Sequence, residues 1–130
     1  MKKKVALTCV CLLSILLVAG FVLTRGLSYM SNVELDGIDI ATVGDGSHFG
    51  VFEYGRFTNS VTVYVENGSI VSISIDEDVF SASVTNISDE VMARVIDLQD
   101  TRIDAISGAT ATTHAYLKAI ENALNNDERR

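Results

Sequence analysis

The sequence predicts an α+β domain, in which an antiparallel sheet packs against helices, behind an N-terminal transmembrane helix. Residues 5–24 form an apolar run without a charged residue. Apolar and polar residues then alternate on both sides of Asn67-Gly68, which is typical of a β-hairpin, and two later segments place apolar residues at helical spacing. Strands followed by helices along the chain are characteristic of α+β domains.

The apolar run follows the sequence MKKK and is long enough to cross a bilayer core of about 30 Å as a helix. Because the lysines precede it and only Arg25 follows closely, the positive-inside rule places the N-terminus in the cytoplasm and the domain outside the cell. Cleavage as a signal peptide after Val18-Ala19-Gly20 is the alternative. Residues 1–25 are favoured as an uncleaved anchor, because the apolar run continues through Phe21-Val22-Leu23.

The rest of the chain is acidic and contains no cysteine. Cys9 and Cys11 both lie in the apolar run, so the exported part has neither a disulfide framework nor a thiolate metal site. Four of the ten Lys and Arg residues flank that run, which leaves six basic against seventeen acidic residues outside, a net charge of −11. This charge opposes binding to nucleic acid or to anionic lipid. Residues 26–34 are predicted to be a tether, and residues 35–130 the domain.

The sheet is predicted within residues 35–81, and its clearest part is the hairpin SVTVYVENGSIVSISID. A two-residue Asn67-Gly68 loop pairs Val65 with Ile70 and leaves the apolar residues of the two strands on opposite faces. A three-residue loop with Gly68 in the left-handed region instead places them on one face, and packing favours this loop. The predicted buried face then consists of Val61, Val63, Val65, Val71, Ile73 and Ile75.

Other strands and helices are predicted on either side of the hairpin. The stretch DGSHFGVFEYGRFTNS, with three glycines among aromatic residues, indicates a further strand or a hairpin rich in turns. After the sheet, Ser88 is predicted to cap a helix that carries acidic residues in its first turn. The last helix is predicted over residues 110–124, with an apolar side formed by Tyr116, Ile120, Ala123 and Leu124.

The entrance to that last helix has the composition of an anion site. Small residues at a helix start leave backbone amides accessible, and the start of a helix carries unpaired N–H groups with a partial positive charge. Ser107 can cap the helix, and Thr110 can present its hydroxyl in the first turn, so a phosphate attached there would meet amides. From the turn alone, an ordinary helix cap is the more common explanation.

The sequence Asp104-Ala105-Ile106-Ser107-Gly108-Ala109-Thr110 also resembles the flavin-attachment motif of the FMN-binding domain family. That motif is Asp, two variable residues, Ser or Thr, Gly, Ala, then Ser or Thr, and every fixed position is filled here. The family includes the flavinylated subunits of sodium-pumping NADH:quinone oxidoreductase and of the Rnf complex. The likeness extends over residues 42–124, because VIDLQDTRIDAISGATATTHAYLKAIENAL and YGRFTNSVTVYVENGSIVSISI resemble its C-terminal helices and central hairpin.

The resemblance implies FMN joined to Thr110 by a phosphoester, with a separate flavin transferase as the enzyme that forms the bond from FAD. A threonine hydroxyl is a poor nucleophile at neutral pH, so the activating base and divalent metal are expected on the transferase. Ser107 and the amides of Gly108, Ala109 and Thr110 would then hold the phosphate. Asp104 would orient the loop or assist the metal of the transferase. No catalytic residue or metal ligand is predicted on this chain itself.

The sequence departs from the family pattern at one point and leaves several roles open. His48 replaces an aromatic residue in the early Asp-Gly-x-Tyr-x-Gly pattern, and Thr112 and Thr113 offer further hydroxyls near the motif. Two arginines can meet either the flavin phosphate or a surface carboxylate, and the second is favoured in so acidic a domain. Three aromatic residues can meet either the flavin ring or the core. These arginines and aromatic residues are Arg56, Arg102, Tyr54, Phe57 and Tyr116.

The favoured function is therefore that of a membrane-anchored, extracytoplasmic electron carrier with FMN at Thr110. Membrane redox proteins are its expected electron donors and acceptors, and partners with basic docking patches are favoured by the acidic surface. The alternative is a binding or sensing module of the same fold that carries no flavin. An enzyme that uses its flavin on a small substrate ranks last, because no acid/base pair stands out in the sequence.

Overall fold

The computed structural model describes residues 1–79 and 85–125, and it confirms the α+β class. Three antiparallel strands form one sheet, and the helices lie before and after it. The elements are α1 (Lys2–Thr24), α2 (Leu27–Ser31), β1 (Gly46–Phe52), β2 (Asn59–Glu66), β3 (Ser69–Asp78), α3 (Thr85–Leu98) and α4 (Thr110–Asn125), with single 3₁₀ turns at Ile40–Thr42 and Gly55–Phe57.

Helix α1 is long and apolar enough to span a membrane, and none of its residues is buried against the rest of the chain. The prediction of a helix suited to a membrane is thereby confirmed as to length and composition. The side of the membrane on which the domain lies stays a prediction.

Helix α4 covers one face of the sheet, and β1 and β2 supply most of that contact. The valines of β2 (Val61, Val63 and Val65) are fully buried beneath it. The predicted apolar side of α4 is confirmed, since Tyr116, Ile120, Ala123 and Leu124 are at most 3% exposed. The helix approaches β1 most closely at Gly50, where an added Cβ would lie 2.2 Å from the Ala119 carbonyl oxygen. The absence of a side chain at this strand position allows helix and sheet to come into contact.

The predicted three-residue hairpin loop is wrong. The loop is Asn67-Gly68, with φ values of 52° and 70°, and Val65 pairs with Ile70. A β-bulge at Val71 then restores the register, so that Val63 pairs with Ile73 and the apolar residues face the core after all. Val71 itself is 45% exposed, contrary to the predicted buried face. Because the inserted residue shifts the pairing of β3 by one position, a two-residue loop is compatible with apolar residues of both strands on one buried face.

Helix α3 starts three residues before the predicted cap. Ser88 lies inside the helix, where it is 7% exposed and hydrogen-bonds the Tyr116 hydroxyl. Ile87 packs against the main core. Burial of this residue, and not a cap at Ser88, therefore keeps the first turn helical.

The C-terminal end of α3 is fixed to the sheet by Gln99, which has a φ of 55°. Its side-chain oxygen accepts from the Ile70 N–H at 2.6 Å, and its side-chain nitrogen donates to the Ile70 carbonyl at 2.9 Å. One side chain therefore forms both backbone hydrogen bonds that a neighbouring strand would form at Ile70.

The segment predicted as a tether contains α2, which is packed onto the domain. Met30 is fully buried in a second core cluster with Phe57, Ala111 and Ala115. The next residues are held to α4 by ion pairs and hydrogen bonds. Buried Glu121 accepts from the Gly37 N–H at 2.9 Å and from Lys118 Nζ at 2.9 Å. A composition typical of linkers gave no sign of these contacts.

The hairpin turn is bound by a carboxylate from the segment before β1. Asp45 accepts hydrogen bonds from the Gly68 N–H at 3.0 Å and the Asn67 N–H at 2.9 Å, and these bonds hold the pKa of its carboxyl below the ordinary value of 3.8. A carboxyl with a lowered folded-state pKa stabilises the fold above its unfolded pKa, and the contribution is lost as pH falls through the folded value.

We therefore expect Asp45→Asn to lower the urea midpoint of unfolding at pH 7 and to lower it less at pH 2, because protonation of the Asp45 carboxylate at low pH removes its contribution. Urea unfolding at several pH values between 7 and 2 measures this difference. Asp39→Asn, at an exposed carboxylate that caps a 3₁₀ turn away from the hairpin, is the control. An equal loss from Asp45→Asn at both pH values would show that the carboxylate charge is irrelevant to the turn.

Candidate anion site at the entrance of helix α4

The turn before α4 brings the predicted motif residues to the helix N-terminus. The Ala109 N–H donates to the Ile106 carbonyl at 2.9 Å, and the Thr113 N–H donates to the Ala109 carbonyl at 2.8 Å, which is the first bond of the helix. Gly108 connects the two with a φ of 79°, and an added Cβ there would meet no atom within 4 Å. Glycine is thus required by the backbone conformation and not by crowding.

The hydroxyl that stabilises this turn is that of Thr113, and the predicted cap at Ser107 is wrong. Thr113 is fully buried, donates to the Ala109 carbonyl at 2.8 Å and accepts from the Ile106 N–H at 3.3 Å. Within residues 1–79 and 85–125, the hydroxyls of Ser107 and Thr110 have no hydrogen-bond partner. The hydroxyl of Thr113, inside the helix, takes the hydrogen bonds of the turn, and Ser107 is left facing solvent.

The first amides of α4 are also available. The N–H groups of Thr110, Ala111 and Thr112 make no hydrogen bond to the described part of the chain, as is normal for the first turn of a helix. The field of the helix favours an anion at this position. An unbonded hydroxyl on the first residue and free amides beside it form the arrangement that binds an esterified phosphate.

An open cleft of about 340 Å³ gives access to these groups. Ser107 and Gly108 are exposed, Ala109 and Thr110 are half-buried, and the exposed Asp104 lies at the start of the turn. The Asp104 carbonyl accepts from Arg94 Nη1 at 3.2 Å, which anchors that end of the turn to α3. The cleft is lined by Leu27 and Ser31 of α2 and by Gly108, Ala109, Thr110, Ala111 and Thr112.

The geometry separates the three threonines near the motif. Thr110 lies in the cleft with an unbonded hydroxyl, whereas Thr113 is buried and bonded to the turn. Thr112 is half-buried, and it lines both this cleft and a smaller cavity behind it. Attachment of a group at Thr110 requires no change in the turn, whereas attachment at Thr113 would break two hydrogen bonds.

The arginines are engaged elsewhere. Arg102 donates from Nε at 3.0 Å and from Nη2 at 2.7 Å to Asp100, and this bidentate contact lowers the pKa of the Asp100 carboxyl. A surface carboxylate is therefore the partner of Arg102, as the composition favoured. The Arg56 guanidinium lies over the Phe57 ring at 4.9 Å and borders the smaller cavity.

Two of the three candidate aromatic residues belong to the core. Phe57 is 8% exposed and Tyr116 is 2% exposed. Burial, together with the nearby Asp78 carboxylate that accepts its hydrogen bond, raises the pKa of the Tyr116 phenol well above its usual range, so this phenol stays a donor. Tyr54 is instead exposed and stacks on Tyr29, with ring centroids 4.7 Å apart.

Sequence reasoning missed a buried polar residue behind the cleft. Asn59 is 2% exposed, and its Nδ2 donates to the Phe57 carbonyl at 3.1 Å. Its Oδ1 has no hydrogen-bond partner among the described residues. Asn59 also lines the smaller cavity, whose volume of about 10 Å³ is at the lower limit for holding one water molecule. An asparagine at the start of a strand carries no sequence signal for such a position.

Both histidines have backbone partners. Nε2 of His48 lies 2.7 Å from the Gly44 carbonyl, and Nδ1 of His114 lies 2.8 Å from the Met30 carbonyl. The residue that departs from the family pattern thus contacts the segment before β1. Across the described ranges, no group of three or more His, Cys, Asp or Glu side chains is arranged to hold a metal ion.

The structure is a small α+β domain with a candidate anion site at the N-terminus of its covering helix. The sequence model of the FMN-binding domain family matches residues 54–125, more than half of the chain, and the chain belongs to this family. The match contains β2, β3, α3, the turn and α4. Among curated proteins, none matches the chain. The unbonded Thr110 hydroxyl, the free amides and the open space at Gly108 fit the phosphate of FMN.

Proposed function

We propose that this protein is a membrane-anchored, extracytoplasmic electron carrier whose FMN is joined to Thr110 by a phosphoester. The observation that carries the proposal is the Thr110 hydroxyl, which has no hydrogen-bond partner among the described residues and faces a cleft at the free amides of α4. Membership of the FMN-binding domain family supplies the identity of the cofactor. When bound, FMN supplies the redox chemistry, and the protein sets its exposure and potential.

Thr110 acts as the substrate of a flavin transferase. Its Oγ1 forms a bond to the phosphorus of the FMN half of FAD, the bond to the bridging oxygen breaks, and AMP leaves. The hydroxyl proton passes to a base on the transferase, because the described part of this chain places no titratable side chain in the cleft. The exposed turn gives the transferase access, and the exposed Asp104 is available to orient the loop or to reach its metal.

The other motif residues bind the phosphate once the ester has formed. The hydroxyl of Ser107 and the amides of Gly108 and Thr110 are the donors that we assign to this role. The predicted Ala109 amide is already bonded to the Ile106 carbonyl at 2.9 Å. Gly108 allows close approach because it has open space where a side chain would stand. A covalent bond keeps the cofactor on the protein outside the cell, where dissociated FMN would be lost.

The electron partners that we propose are membrane redox proteins. The net charge of −11 on the exported part favours partners that present basic patches, since two acidic surfaces repel each other. The large exposed apolar residues on the outer face of the sheet include Phe49, which is 60% exposed, and Tyr64, which is 41% exposed. If no flavin is attached, this face supports the alternative of a binding module.

Intact mass tests the proposal. Residues 26–130, which include α2, are co-expressed with a flavin transferase and denatured before analysis. We expect an addition of about 438 Da, the mass of FMN less water, on the peptide that contains Thr110. An unmodified mass, with a transferase shown to be active on a known target, would refute the covalent flavoprotein and favour the binding module.

A further inference from the structure

A small group of exposed apolar and aromatic side chains lies directly after the apolar helix. Leu27 is 38% exposed, Tyr29 is 58% exposed and Tyr54 is 36% exposed. Leu27 and Tyr29 belong to α2, and Tyr54 immediately precedes the 3₁₀ turn at Gly55–Phe57. Because Tyr29 and Tyr54 stack, α2 and the domain present the two tyrosines together, while Leu27 lies at the edge of the Thr110 cleft. We refer to Leu27, Tyr29 and Tyr54 as the juxtamembrane face.

This face is rigidly part of the domain. Met30 of α2 is fully buried against Phe57 and α4, and its carbonyl lies within hydrogen-bond distance of the His114 ring. Gly26, with a φ of 89°, allows the chain to turn closely past Tyr54, where an added Cβ would lie 2.9 Å from the ring. Helix α2 is therefore fixed to the domain, and only Arg25 and Gly26 lie between it and α1.

The face is also close to the end of the membrane segment. Helix α1 ends at Thr24 and α2 begins at Leu27, so their nearest α-carbons are at most about 11 Å apart. The headgroup layer on each side of a bilayer is about 5 to 8 Å thick. Tyrosine concentrates in this layer, because its ring is apolar and its hydroxyl remains in contact with water.

We propose that the juxtamembrane face docks in the headgroup layer of the membrane and holds the Thr110 cleft at the bilayer surface. This inference rests on the proposed membrane anchor. The face contains no basic residue and the exported part carries a net charge of −11, so apolar and aromatic contacts, not charge, provide the attraction. Since Leu27 also lines the cleft, a group attached to Thr110 lies next to lipid. Its electron partners would then meet it in the plane of the membrane.

Fluorescence quenching by lipid tests the proposal without any flavin. The full chain, with Cys9→Ala and Cys11→Ala, carries a fluorophore on Ser107→Cys, an exposed position in the turn. It is placed in phosphatidylcholine nanodiscs that contain nitroxide-headgroup lipid. A second version has twenty Gly and Ser residues inserted between Arg25 and Gly26. A domain that is only tethered moves away from the bilayer surface in this version and loses quenching, whereas a docked domain remains at the surface and stays quenched.

We expect strong quenching in both versions, and we expect Leu27→Ser with Tyr29→Ser and Tyr54→Ser to reduce it at least threefold in the version with the insert. Tyr64→Ser, at an equally exposed tyrosine on the sheet, is the matched control and should leave quenching unchanged. Thermal unfolding verifies that every variant is folded.

Two results would overturn the docking proposal. One is loss of quenching through the insert alone, and the other is full quenching in the folded triple variant. Failure of the anchor is distinguished from failure of docking, because an unanchored chain does not copurify with nanodiscs. Failure of flavin attachment does not affect this experiment and is detected separately by intact mass.

Discussion

Thr110→Ala is expected to abolish covalent flavin completely in the presence of an active transferase. Alanine has no oxygen to form the phosphoester, and the neighbouring hydroxyl of Thr113 is buried and bonded to the turn. The variant should show the unmodified mass and no flavin absorbance after denaturation. Its stability should change by less than about 0.5 kcal/mol, because the Thr110 hydroxyl has no hydrogen-bond partner among the described residues.

Thr112→Ala is the matched control for this variant. It removes a hydroxyl two residues away, which also borders the cleft, and it should retain the full addition of FMN. If Thr110→Ala retains the addition and Thr112→Ala loses it, the attachment site is Thr112 and the register of the motif is wrong. Peptide mapping of both variants decides between the two.

Gly50→Ala is expected to cause the largest loss of stability among single substitutions in the sheet. The new Cβ would lie 2.2 Å from the Ala119 carbonyl oxygen and 2.4 Å from the Ala123 amide nitrogen. Both contacts are with backbone atoms, so α4 has to move away from β1 and the core beneath it opens. We expect a cost of at least about 3 kcal/mol, which for a domain of this size corresponds to a fall in Tm of roughly 12 to 24 °C.

Thermal and urea unfolding of residues 26–130 measure this effect. Ser47→Ala, on the same strand at an exposed position, should change the stability by less than about 0.5 kcal/mol. A wild-type Tm for Gly50→Ala would mean that α4 does not approach β1 as closely as described. Flavin attachment to the folded fraction of Gly50→Ala should persist, because Gly50 does not line the cleft.

The sequence predicted those features that depend on local periodicity. The bounds and apolar side of α4 followed from the spacing of Tyr116, Ile120 and Leu124, and the motif at residues 104–110 indicated the family. The predicted length of the hairpin loop was wrong because a bulge at Val71 changes the register by one residue, and the alternation of apolar and polar residues does not reveal an inserted residue. Ser88 failed as a cap because packing of Ile87 extends the helix upstream.

Long-range contacts could not be predicted from the sequence. Met30 lies in a mixed, polar segment, and only contact with Phe57 and α4 makes it a core residue. The carboxylate of Asp45 is 22 residues away from the turn that it binds. At the candidate site, the roles of the motif residues stay predictions, and the cap that the turn chemistry assigned to Ser107 is wrong. The structure gives the hydrogen bonds of the turn to Thr113, and the hydroxyls of Ser107 and Thr110 have no hydrogen-bond partner among the described residues.

The side chain of Gln99 has a consequence for how copies of this protein behave at high density. Strand β3 is an edge strand, and unpaired edges recruit strands from other molecules into intermolecular sheets. The Gln99 amide bonds both the N–H and the carbonyl of Ile70, so a strand from another molecule cannot pair with β3 at this position next to the hairpin turn. In the membrane-anchored form that we propose, copies are concentrated in two dimensions, and a single residue at the end of α3 provides this protection against aggregation.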